Sequence, residues 1–118
     1  MIRHEDIQQY VSTKPGFEVK TPFDPDLPVL YVGSKMFAIL GMTEGEESVS
    51  LKCDPEEAFM LRQQYPGVVL PGYHLNKRHW NTVRLTGVVP DEELWKMVDD
   101  SYMLVYSKLP KKERDAIT

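Results

Sequence analysis

One cysteine, Cys53, is all that the chain contains. No internal disulfide can form, and a zinc site built on several thiolates is excluded. Histidine is nearly as scarce, with three residues. His74 and His79 stand five positions apart and His4 lies far from both, a pattern unlike the i, i+4 pair of a helical zinc site. No apolar run approaches the roughly eighteen residues a membrane-spanning helix needs. The opening MIRHEDIQQY is polar and charged where an export signal requires an apolar stretch, so a cytoplasmic location is expected. There is no G-x-S-x-G, no glycine-rich phosphate loop and no acid pair in an apolar setting. The expectation is therefore a binding protein, with no catalytic constellation, metal or cofactor.

What is present fits one globular α+β domain spanning residues 1–118. The 42% hydrophobic and 27% charged fractions are ordinary for a folded chain of 118 residues. The net charge of −4 speaks against a strongly basic nucleic-acid binder, but the charge is unevenly spread. From Ala58 to Pro90 no Asp or Glu occurs, while Arg62, Lys77, Arg78 and Arg84 do. Such a split implies one basic face on an acidic body, provided these cations meet in space.

Hydrophobic periodicity predicts a helix from about His4 to Thr13, stopped by Lys14-Pro15-Gly16, then a short strand at Phe17–Lys20. Pro22, Pro25 and Pro28 make the next segment a loop. Strands follow at Val29–Gly33 and Lys35–Gly41, joined by a turn at Gly33-Ser34. KMFAIL is apolar on both sides and belongs in the middle of a sheet. Ser48–Cys53 alternates, with Val49, Leu51 and Cys53 inward and Ser48, Ser50 and Lys52 outward. Asp54, Pro55 and Glu57 predict an N-cap, a first-turn proline and a capping box for a second helix with Ala58, Leu61 and Tyr65 buried. A weak strand at Val68–Leu70 and a better one at Asn81–Thr86 come next. A last helix from Pro90-Asp91 to about Leu109 buries Leu94, Val98, Tyr102, Val105 and Leu109, and a basic KKER tail trails off. The order α-β(4)-α-β(2)-α implies a mainly antiparallel sheet with helices packed on one face.

The densest chemistry lies in PGYHLNKRHWNTV, Pro71 to Val83. Lys77 and Arg78 can neutralise phosphate, Tyr73, His74, His79 and Trp80 can stack on bases, and Asn76 and Asn81 can bond base edges. A helical turn opening at His74 would add backbone N–H groups for an anion. Arg84 and Lys52 are candidates to extend the same basic face. The alternative is a structural clasp: Trp80 in the core, Tyr73 and His74 anchoring the loop, and Lys77 and Arg78 merely solvated. In that case the domain binds a protein partner or a small ligand. Cys53 continues an inward strand pattern and reads as a core residue, and Asp99-Asp100 as a solvated helix face, with Asp99 free to pair with the loop.

PFDPD (Pro22–Asp26), VGSKMFAIL (Val32–Leu40), SLKCDPEEA (Ser50–Ala58), LRQQYPGVV (Leu61–Val69), PGYHLNKRHWNTV, and PDEEL through DDSYMLV to LPKKER resemble the MmcQ/YjbR family nearly end to end. The resemblance implies a fold like the bacterial frataxin homologue CyaY and a bacterial cytoplasmic protein without an assigned activity. It also brings the family's proposed DNA-binding "double wing", for which the turns at Gly33-Ser34 and Gly45 would serve here. The matching positions are Lys35, Lys52, His74, Asn76, Lys77, His79, Trp80 and Asn81. Tyr31 stands where the family often has lysine and Asp24 where it often has glycine, which makes this sheet less basic. The first helix offers only Glu5 and Asp6, so the resemblance implies no iron chemistry.

Overall fold

A computed structural model describes residues 1–117. Six antiparallel strands form one sheet in the order β1-β2-β3-β4-β6-β5. They are β1 (Phe17–Lys20), β2 (Val29–Val32), β3 (Lys35–Thr43), β4 (Glu46–Lys52), β5 (Val69–Pro71) and β6 (Trp80–Arg84). The helices are α1 (His4–Val11), α2 (Pro55–Gln64), α3 (Asp91–Ser107) and α4 (Lys111–Ile117). The expected α+β class, strand number and central place of KMFAIL all hold. Two boundaries move appreciably: β3 and β4 run on toward their shared turn at Glu44-Gly45, and the KKER tail is helix α4 instead of a loose end. Ile117 of α4 covers Gly16, where a Cβ would stand 2.8 Å from its Cδ1.

Register explains the core. Leu30, Ala38 and Leu51 lie side by side across β2, β3 and β4, as do Leu40, Val49, Val83 and Val69 across β3, β4, β6 and β5. These residues meet Ile7 and Val11 of α1, Leu61 of α2, and Leu94, Val98, Tyr102 and Val105 of α3 in one cluster. Alternation sends Val29, Ile39, Ser50 and Thr82 to the other face, which no helix covers. Ser48 is nonetheless buried, so the outward side of β4 is less open to water than its pattern suggests.

The ladder has one break. β2 pairs Leu30 with Ala38 but Tyr31 with Met36, leaving Phe37 as an extra residue. Pairing of β3 with β4 also begins only at Ala38–Leu51. The fully buried Ser101 of α3 fills the gap: its hydroxyl accepts the Lys52 N–H at 2.9 Å and donates to the Phe37 carbonyl at 2.6 Å. Tyr102 beside it donates to the Pro15 carbonyl at 2.6 Å, tying α3 to the loop after α1. Asp99, a turn earlier on α3, binds Lys14 at 2.8 Å and accepts from the Tyr10 hydroxyl at 2.8 Å. It joins helix to helix and does not pair with the basic loop. At α2, the Asp54 cap accepts from Glu56 N at 3.1 Å, and Glu57 reaches toward Lys96 at 3.9 Å instead of closing a capping box.

Candidate functional site

The segment between β5 and β6 divides into a buried half and an exposed half. Trp80 is 8% exposed, and Gly72 lies so close beneath it that a Cβ there would stand 2.7 Å from the Trp80 Cβ. Asn81 is also buried, its amide donating to the Ala58 carbonyl at 3.2 Å and accepting from Arg62 Nε at 2.7 Å. Trp80 and Asn81 therefore hold the loop and leave the set of candidate contacts. Arg62 also donates to the carbonyls of Lys77 and Trp80. The guanidinium braces the loop from α2 and is not available to a ligand phosphate. Nothing in the local spacing of α2 marks Arg62 for this role.

Within the loop, His74 takes a left-handed backbone at φ 60°, so no helical turn opens there. The Asn76 side chain accepts from Arg78 N at 3.0 Å, and its carbonyl accepts from His79 N and Trp80 N. The Arg78, His79 and Trp80 amides are thus satisfied inside a turn that opens at Asn76 and offer no free N–H to an anion. Lys77 and Arg78 are exposed, and among the described residues their side chains have no ion pair. Arg84 differs: it binds Glu46 at 2.5 Å and the Gly67 carbonyl at 3.2 Å, a structural pairing that removes it from the basic face. Of the four cations in the acid-free stretch, two brace the fold and two face solvent.

Lys52 and Lys35 do approach this loop's end of the sheet. Lys52 pairs in register with Trp80, and the neighbouring Cys53 N–H bonds the His79 carbonyl at 2.8 Å. Burial, then the charges of Lys108 and Lys35, hold the Lys52 ammonium below the usual lysine range. Three lysines from β3, β4 and the end of α3 thus stand near enough to repel one another. Of the two turns proposed as wings, Gly33-Ser34 adjoins Lys35 at this end of the sheet and Glu44-Gly45 does not. They lie at opposite ends of β3, about 25–30 Å apart at strand rise. The Glu44-Gly45 turn is flanked by acids, and Glu113 of α4 bonds Ser34 in the other through both its amide and its hydroxyl.

Elsewhere, a cleft of about 470 Å³ between α2 and α3 is lined by Cys53, Asp54, Glu57 and Asp100. No group of three or more His, Cys, Asp or Glu among the described residues is placed to hold a metal ion. Burial first, then the neighbouring carboxylates, push the Cys53 thiol up to about 11. No helix among these residues is long and apolar enough to cross a membrane.

The YjbR family profile matches residues 12–104. The chain belongs to the YjbR family. It is 39% identical to YjbR of Escherichia coli K12 over 109 residues, covering 92% of each chain. It is 30% identical to YyaQ of Bacillus subtilis over 118 residues, covering 88% of this chain and 98% of that one. Both relatives are described as uncharacterised proteins. A crystal structure of a Deinococcus radiodurans protein with a DUF419 domain superposes with a TM-score of 0.89 at 38% identity, covering 99% of this chain and 88% of that one. A Pseudomonas syringae crystal structure gives 0.73 at 27% identity, over 87% and 98%. In this YjbR-family chain, the Asp99-Asp100-Ser101-Tyr102 run of α3 has a structural role: Asp99 and Tyr102 fasten the helix to α1 and the loop after it, and Ser101 fastens it to the sheet.

Proposed function

We propose that this domain binds a polyanion, nucleic acid being the class that suits its side chains, through the end of the sheet carrying the loop before β6. The observation that carries the reading is the pair Lys77 and Arg78. Both are exposed on a loop whose backbone is braced by Arg62, and neither has an ionic partner among the described residues. Holding two cations without a counter-ion on a braced loop leaves them for an external anion, with little ordering entropy lost on binding. Lys35, Lys52 and Lys108 support the same end, because an added anion would relieve their mutual repulsion. His74 and His79 flank the cations, whereas Trp80, Asn81 and Arg84 serve the fold.

The test is fluorescence anisotropy with labelled duplex DNA, single-stranded DNA and RNA across a salt series. Three or four phosphate contacts give a log–log salt slope of about −3 to −4 on duplex DNA. Lys77→Ala and Arg78→Ala should each flatten it by about one. Arg84→Ala should leave the slope alone. Absence of binding at low salt, or slopes unmoved by both loop substitutions, would refute the reading. The burial of Trp80 and Asn81 favours the second reading, a partner- or ligand-binding module in which the loop is a clasp.

A further inference from the structure

The face of the sheet that no helix covers is not flat. The proline-rich segment before β2 rises on one side with Phe23 and Leu27, and the loop before β6 rises on the other with Tyr73, His74 and Leu75, enclosing a groove of about 410 Å³. That size falls within the roughly 300–1,000 Å³ typical of small-ligand sites. We propose that this groove binds an uncharged, planar ring compound with hydrogen-bonding edges, a class that includes nucleobases and similar heterocycles.

Four observations carry the assignment. The first is charge: no Asp, Glu, Lys or Arg lines the groove, so an ionised ligand would lose its hydration without gaining a counter-charge. The second is exposure. Phe23, Met42 and Tyr73 are 63%, 64% and 75% exposed around this one concavity, two of them aromatic residues on different walls. The third is the floor, where Ser50 and Thr82 hydroxyls lie 2.9 Å apart and Thr43 donates to Ser48 at 2.9 Å. Thr82 also accepts from Tyr73 N and is buried, as is Ser48, which leaves the half-buried Ser50 and Thr43 hydroxyls to meet the edge of a heterocycle.

The fourth is Gly41, two residues from the end of β3 and opposite Ser48. Its backbone is not in the left-handed region, and a Cβ there would meet nothing nearer than Leu27 Cδ1 at 3.6 Å and Ser48 Oγ at 4.0 Å. Neither conformation nor close packing requires glycine, although glycine weakens a strand interior. What its bareness preserves is the volume of the groove above β3. The left-handed His74, with its ring 4.0 Å from that of Tyr73, places local backbone strain in the wall of the same groove.

Two-dimensional amide NMR with adenosine, nicotinamide and indole as probes tests the proposal. Working at about 0.5 M salt suppresses contacts of the exposed lysines. Saturable shifts confined to residues 39–43, 48–50, 73–75 and 82 are expected for at least one probe. The affinity should fall about tenfold or more in Gly41→Leu and in Tyr73→Ala. Gly41→Leu should melt no lower than the parent, and Tyr73→Ala, an exposed position, guards against a folding defect in the first variant. Lys77→Ala with Arg78→Ala should leave probe binding unchanged, which separates this site from the polyanion surface. No shift in these amides with any probe at about 5 mM, or shifts that Gly41→Leu does not weaken, would overturn the proposal. Groove amides that move on simple dilution would assign the face to a second copy of the chain and overturn it as well.

Discussion

Ser101 shows how one side chain can decide a sheet. Without its hydroxyl, the Lys52 N–H and the Phe37 carbonyl lose their partners inside a sealed core. A buried group left unpaired costs about 1–3 kcal/mol, so Ser101→Ala should lose at least about 2 kcal/mol in urea unfolding. A variant that unfolds with the parent would mean that β3 and β4 can close the gap by themselves. Cys53 yields a different residue-scale result. With its thiol held near 11, only about 0.1% is thiolate at pH 8, and alkylation should run roughly two orders of magnitude slower than for an exposed thiol. The stability linkage has a definite sign. The unfolded chain releases this proton near the ordinary value of 9.0, and the folded chain holds it to about 11. The contribution is complete below pH 9 and is lost as pH rises through that window. Cys53→Ala should therefore flatten the alkaline arm of the stability profile, read from melting temperatures between about pH 8 and 11.

At the scale of elements, the loop before β6 owes its shape to α2 and β5 more than to its own residues. Arg62 reaches Asn81, Lys77 and Trp80 together, and Gly72 makes room for the indole. Trp80→Ala should cost about 3–5 kcal/mol, the usual range for truncating a buried tryptophan. Urea denaturation measures it, and a parent-like curve would contradict the clasp. These positions also show what a one-dimensional pattern can carry. The stripe Leu94, Val98, Tyr102, Val105, Leu109 has the helical period, and all five residues are buried, because amphipathicity is written in local spacing. The acid-free run marked the right loop. It could not separate Arg62 and Arg84, which find partners far along the chain, from Lys77 and Arg78, whose side chains have no ion pair among the described residues. Ser101 and Gly41 were illegible for the same reason: a mid-helix serine and a glycine within a strand acquire meaning only from the strand or side chain opposite them.

For the whole molecule, the consequence is an asymmetry that net charge conceals. The chain carries −4 and has a sequence pI of about 5.3, so at pH 7.5 it should bind an anion exchanger. Its acids are widely engaged, however: Glu47 with Arg3, Asp99 with Lys14, Glu46 with Arg84 and Asp100 with Lys96. The cations of the polyanion end have no such partners among the described residues, and the Debye length of about 10 Å at 0.1 M salt keeps distant acids from cancelling them. The same preparation should consequently also be retained on heparin at low salt, against its net charge, and elute as salt screens the contact. Reversing both loop cations, Lys77→Glu with Arg78→Glu, should abolish heparin retention and leave the melting temperature unchanged, since neither side chain supports the fold. If retention instead persists in that double variant, the attraction resides in Lys35, Lys52 and Lys108 alone. Passage of the parent through heparin at low salt would leave the domain's electrostatics to its acidic surface and withdraw the polyanion reading, while the neutral groove on the open sheet face would stand independently.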